Sequence, residues 1–164
     1  MVVGYIDFNG EIKGNSKDAN HEEWIEVLSV SQGLNRNINP SSKPKEALSK
    51  SQVQVGAIEI QKNADESSPE LVAAVCQGRT FKKVTIDLVR VSEQGNEVFY
   101  QWELEDAYIS NYGMYGQGAG GINTSENLSI NFNKIKWIYK GTDEAGKVQA
   151  PVETGWDLGS NKKN

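Results

Sequence analysis

Side chains able to do chemistry are few in this chain and widely spaced. It holds one histidine, His21, and one cysteine, Cys76, so any Ser-His-Asp or Cys-His relay would have to be built on that single imidazole. His21 falls in a polar loop, residues 15–23, just ahead of a strand, where surface or turn hydrogen bonding accounts for it. One histidine and one cysteine also exclude metal sites built from those ligands, leaving only carboxylate sites. Asn15, Asp18 and Asn20 have only a faint likeness to a calcium loop, and no glutamate follows where such a loop needs one. Glu103, Glu105 and Asp106 cluster in WELEDAY. The two glutamates share one face of a strand at about 7 Å, within range for paired-carboxylate hydrolysis. Nothing converges on them, and a solvated acidic face is the simpler reading. Gly116, Gly118 and Gly121 spell G-x-G-x-x-G. A dinucleotide fold puts a helix after those glycines, whereas here a strand follows, so residues 113–121 read as a flexible hairpin tip. Asn123-Thr124-Ser125 and Asn127-Leu128-Ser129 match a glycosylation acceptor, which means nothing without a secretory signal. The residues therefore specify no enzyme, no cofactor and no metal.

The elements that carry these residues are organised around 67–91, one helix and the strand it feeds. Ser68-Pro69 reads as an N-cap with proline at the first helical position, and Glu70 suits the positive end of the helix dipole. Leu71, Val72, Val75 and Cys76 form an apolar stripe, which makes Cys76 a buried structural thiol. Gly78 supplies a left-handed exit. The period then changes to two, with Val84, Ile86 and Leu88 alternating with Lys83, Thr85 and Asp87. No other segment reads as a helix of comparable quality.

Strands account for most of the rest. Residues 2–8 form one, with Ile6 and Phe8 opposite Tyr5 and Asp7. In 24–32, Leu28 and Val30 share a face, while Ile25, Val27, Ser29 and Ser31 share the other, which passes from apolar to small and polar. Residues 33–51 are long, polar and proline-bearing, a loop of the kind that is functional or ordered by a partner. A strand at 52–61 is kinked at Gly56, and 92–96 is a hairpin turn into a strand at 97–109. Residues 127–140 read as the longest strand, and its alternation changes phase near Asn133-Lys134, which implies a bulge or a corner between sheets. Residues 141–150 are a loop, 151–158 close the fold, and 159–164 are a frayed tail. The fold class is mainly β: a β-barrel of two packed sheets braced by one short helix, in a single domain over residues 1–164.

Charge and hydropathy narrow the function. A net charge of −5 gives no basic patch for nucleic acid, and no apolar run reaches the ~18 residues of a membrane span. The first residues lack a basic and an apolar region, so no Sec-type signal is expected. A chain made in the cytosol would leave the cell by another route.

At this point a family resemblance becomes visible. Gly14-Asn15-Ser16-Lys17-Asp18, His21, Trp24-Ile25-Glu26-Val27-Leu28-Ser29, Ser31 and Gly33 resemble the N-terminal signature of the haemolysin-coregulated proteins (Hcp). Ser68-Pro69-Glu70-Leu71, Thr124-Ser125-Glu126-Asn127-Leu128, Asn131-Phe132, Pro151-Val152 and Gly155-Trp156 follow the same family's order. The chain departs from the pattern at Asn15, Val30 and Gln32, and residues 36–49 align with no motif. The resemblance implies a hexameric ring, with rings stacking into the hollow inner tube of a type VI secretion system. The tube is expelled from the cell, and effectors are carried and chaperoned in its lumen. Ending at Asn164, the chain would be the plain tube form without a toxin domain. Implied partners are copies of itself, type VI effectors, and the tip (spike) and sheath proteins, with no nucleic acid and no membrane insertion. On this reading Ser29 and Ser31 face the channel. The loop at 33–51, with Asn35, Arg36, Asn37, Lys43 and Lys45, would make ring-to-ring contact. The rival readings are a contractile-phage tail-tube protein, with the same physical role, and a monomeric ligand-binding barrel, which needs an apolar cavity.

Overall fold

The computed structural model describes residues 3–93, 95–118 and 123–164, with Asn123 described by its backbone alone. Four strands meet near the N-terminus. β1 (Gly4–Asp7) lies antiparallel between β2 (Ile25–Val27) and β7 (Thr80–Ser92), and β7 turns into β8 (Gly95–Gln117). β8 is the longest strand, at 23 residues, and it serves two neighbourhoods. Its first half lies between β7 and β10 (Lys134–Tyr139), beyond which come β11 (Val152–Asp157) and β12 (Lys162–Lys163). Its second half pairs with β9 (Asn123–Asn131), which passes the ladder to β6 (Ile58–Asn63) and then to β3 (Ser29–Ser31). One ten-stranded sheet thus forks at β8 and folds over its own apolar face. A separate two-stranded sheet joins β4 (Leu34–Arg36) to β5 (Val53–Val55).

The mainly β expectation holds, but the ladder does not close into a continuous barrel. β2 and β3 are separated by Leu28, whose N–H donates to Gln61 O at 2.8 Å. That single residue is a corner: Ile25 and Val27 point into the core before it, while Ser29 and Ser31, at the same parity, are exposed after it. The core is a run of alternate positions from both arms of the fork, including Ile6, Val84, Ile86, Leu104, Ile60, Leu128 and Ile135. Helix α2 (Ser68–Gln77) lays Leu71 and Ala74 on it.

Several sequence expectations need correction. The helix N-cap is Ser67 rather than Ser68; the Ser67 side chain makes no capping bond, and the Ser68 hydroxyl donates to Glu126 Oε2 at 3.0 Å. The buried row is Ser68, Leu71 and Ala74, and Cys76 is exposed. Cys76 lies five positions beyond Leu71, which places the thiol about 140° around the helix from that buried side chain. Residues 33–51 are not structureless: they contain β4 and a second helix, α1 (Pro44–Ser49), begun by proline at its N-terminus. The longest strand is β8, since 127–140 is cut by a corner at Phe132-Asn133, where the chain leaves β9 for β10. The phase change near Asn133 occurs where expected, but the strand expected over 52–61 is not one kinked strand: it breaks at Gly56 into β5 of the small sheet and β6 of the large one. The frayed tail is instead partly ordered, as β12 pairs with β11. Gly113 and Gly116 lie within β8, whereas Gly121 and the turn of that hairpin fall outside the described residues.

Candidate functional site

The residues singled out for catalysis are not brought together. His21 is buried rather than on the surface, with Nδ1 2.8 Å from Asp18 Oδ1 and Nε2 2.9 Å from Asp87 Oδ2. Its ring stacks on Tyr5 at 4.4 Å and meets Trp24 edge-on at 4.9 Å. Burial alone pushes the imidazole toward its neutral form. The hydrogen bonds and charges of Asp87 and Asp18 outweigh that, so its pKa lies above the ordinary value. A ring with a carboxylate at each nitrogen donates to both only when protonated. His21 is thus an imidazolium clamp between the N-terminal loop and β7. Glu103 and Glu105 are each answered by a lysine, Lys83 at 3.9 Å and Lys134 at 3.9 Å. Among the described residues no group of three or more His, Cys, Asp or Glu is arranged to hold a metal ion.

Ser29 and Ser31, in contrast, belong to an extended surface. Register places Ser31 opposite Glu59, Glu59 opposite Ser129, and Ser129 opposite Asn111. The next row runs Ser29, Gln61, Asn127 and Gly113. The face of β3, β6, β9 and the second half of β8 is therefore made of serine, asparagine and glutamine, and Glu59 is the one charge in these two rows. The side chains bind one another: Ser29 Oγ donates to Gln61 Oε1 at 3.3 Å, and Ser129 Oγ to Glu59 Oε2 at 2.5 Å. Intervening positions Ile58, Ile60, Leu128 and Ile130 point inward and are buried. Strict alternation thus separates an apolar underside from a wet face.

Beneath this face lies a buried ionic cluster. Lys62 and Glu126 sit opposite one another across β6 and β9, and both are fully buried. Lys62 Nζ lies 2.5 Å from Glu126 Oε2 and 3.0 Å from Asp65 Oδ1. Tyr112 donates to the second oxygen of Glu126, and desolvation followed by that carboxylate's proximity holds the phenol well above its ordinary pKa. The cluster fixes the N-terminus of α2 to the back of the polar sheet.

Asn35, Arg36, Asn37, Lys43 and Lys45 all lie on the arm formed by β4, α1 and β5, and all are exposed. The Arg36 guanidinium is engaged within the arm, donating to Leu48 O at 3.0 Å and Ser51 O at 2.8 Å. Leu34, Ile38 and Leu48 are each about half exposed on it, at 50%, 47% and 50%. Sequence reasoning missed Glu59, Gln61, Asn111, Asn127 and Ser129. Their signal is the alternation in IEIQ and NLSIN, which also describes any strand with one solvated face.

Comparison with known proteins gives a consistent result. The family model described as "Type VI secretion system effector, Hcp" matches residues 5–139. The chain is 26% identical over 162 residues to "Protein hcp1" of Pseudomonas aeruginosa, covering 98% of each. It is 28% identical over 153 residues to the "Major exported protein" of the same organism, covering 88% of this chain and 87% of that one. Among solved structures, "Structure of a type six secretion system protein" superposes with a TM-score of 0.90 at 23% identity, over 100% of both chains. Hcp1 from Salmonella typhimurium gives 0.76 at 20% identity, again over 100% of both.

Proposed function

Because this chain belongs to the Hcp family of the type VI secretion system, we propose that it is the repeating subunit of a secretion tube, with six copies closing into a ring and rings stacking around a water-filled channel. The observation that carries this reading is the polar face and its margins. Among the described residues the face ends on two open strand edges, since there β3 pairs only with β6 and β8 beyond Tyr108 pairs only with β9. Unpaired edges are templates for strand addition. Joining the β8 edge of one copy to the β3 edge of the next is a head-to-tail contact, and such contacts generate closed rings when the rotation per copy divides a full turn.

A ring assembled this way turns Ser29, Ser31, Gln61 and Asn127 toward its axis. A wall of neutral hydrogen-bonding groups holds cargo through replaceable contacts and offers no greasy surface on which an unfolded segment would stick. Effectors are held there and travel with the tube to the cell exterior. The arm, with Asn35, Asn37, Lys43 and Lys45 exposed, reaches the adjacent ring, and the spike and sheath proteins contact the ends and the outside.

Electron microscopy of the purified chain tests the ring, and Ser31→Trp tests which face lines it. Annular particles are expected for both proteins, with co-purified effector lost from Ser31→Trp alone. Annuli that keep their effector in the variant would move the lumen to another face, and loss of the annulus in the variant would make Ser31 an assembly residue.

A further inference from the structure

The arm joins the body through a narrow neck at residues 32–33 and 55–56. Gly56 N donates to Gly33 O at 2.8 Å, and a Cβ on Gly56 would come within 2.6 Å of that oxygen, so the two neck strands meet as bare backbone. Beyond Val55, which packs on the core, the arm stands off from β10, β11 and β12 across a groove of about 350 Å³ lined by Leu34, Val53, Trp137 and Trp156. Something other than broad packing has to fix its direction. One side chain is placed to do so. Gln32 Oε1 accepts from two indoles, Trp137 Nε1 at 2.9 Å and Trp102 Nε1 at 3.2 Å, while Gln32 Nε2 donates to Gly56 O at 3.2 Å.

We infer that Gln32 is the positioning residue of the arm, a latch whose carbonyl oxygen is held by the indoles of Trp102 and Trp137 and whose amide holds the far strand of the neck. The two tryptophans face each other across β8 and β10 in register, so they present their N–H groups from rigid elements to one acceptor. An indole N–H can only donate. Removing the acceptor leaves two donors without partners and cuts the tie between sheet and neck at once. The amide is the side chain that meets all three groups, because it carries an acceptor with two lone pairs beside a donor. The consequence for assembly rests on the tube reading above: a latched arm meets the neighbouring ring at a fixed angle, and a released one samples many. The latch itself does not depend on that reading.

Limited trypsin digestion of the full chain tests it, at an oligomeric state matched by light scattering and with cleavage after Arg36, Lys45 and Lys50 located by mass spectrometry. Cleavage that proceeds through local opening reads the population of the open form. Gln32→Leu is expected to speed arm cleavage about tenfold, which corresponds to about 1.4 kcal/mol. Gln32→Glu keeps an oxygen that accepts both indoles but loses the donor to Gly56 O and sets a carboxylate against that carbonyl, so it is also expected to speed arm cleavage. An unchanged rate in Gln32→Leu overturns the inference, and so does an unchanged rate in Gln32→Glu. Should Gln32→Leu fail to fold, Trp137→Phe removes one donor while keeping an aromatic ring. About threefold acceleration there supports the latch, and the parental rate overturns it. A chain that is monomeric yet shows these rates would remove the tube reading and leave the latch standing.

Discussion

Replacing His21 with glutamine removes a charge shared by the buried carboxylate of Asp87 and the half-buried one of Asp18, and the effect has a pH signature. The side chains involved are nearly out of solvent: 2% exposed for His21, 6% for Asp87 and 15% for Asp18. Glutamine can donate to one of the two carboxylates, leaving the other without its cation, and breaking a buried charged pair costs about 3–5 kcal/mol. That cost applies where the parental imidazole is charged. Since the folded pKa of His21 is raised, its stabilisation is fully present below the unfolded value of about 6.5 and is lost as pH rises through the folded value. Between those two pKa values the parental protein should lose stability relative to His21→Gln at about 1.4 kcal/mol per pH unit. The assay is urea unfolding followed by tryptophan fluorescence at pH 6, 7, 8 and 9, at one fixed chain concentration because assembly shifts apparent stability. Going no higher than pH 9 keeps Tyr5 out of the measurement, as burial, then Asp18, raises that phenol above its ordinary value. A gap between parent and variant that is widest at pH 6 and narrows upward supports the clamp. A gap independent of pH, or one that widens toward pH 9, would refute it.

Other perturbations follow from the same geometry. Lys62→Met should destabilise the fold by about 3–5 kcal/mol by leaving Glu126 charged and buried, while Lys62→Met with Glu126→Leu should recover most of that loss in urea unfolding. Deleting residues 37–50 should leave rings intact but abolish their stacking, read by electron microscopy; stacks that survive the deletion would take ring-to-ring contact away from the arm.

The regular parts of this fold were legible because local rules and tertiary packing agree there. Val84, Ile86 and Leu104 are buried as a two-residue period requires, Gly78 takes the left-handed φ of 65°, and Asn133 marks a real corner. Failures occur where distant residues decide. His21 looked like a solvated loop residue because two of the groups that bury it, Tyr5 of β1 and Asp87 of β7, come from other strands, the second 66 residues away. Lys62 and Glu126 carry charges that a single strand would expose, and only their pairing across β6 and β9 allows them inside. Helix α1 is too short to announce itself, and Arg36, reaching back to Leu48 and Ser51, holds it in place. Cys76 was misplaced because apolar residue types suggested a stripe of which Leu71 and Val75 reach the core while Val72 and Cys76 face outward, Ser68 and Ala74 completing the buried side instead. Ser29 and Ser31 were recognisable as an unusual face, but the other three strands of that face become evident only once register is known.

Ring closure is the claim on which the tube reading turns, and light scattering on the purified chain during gel filtration measures it directly. The account predicts a particle of about six times the 18.1 kDa chain mass that persists on dilution. A particle of one chain mass across the whole concentration range would contradict it.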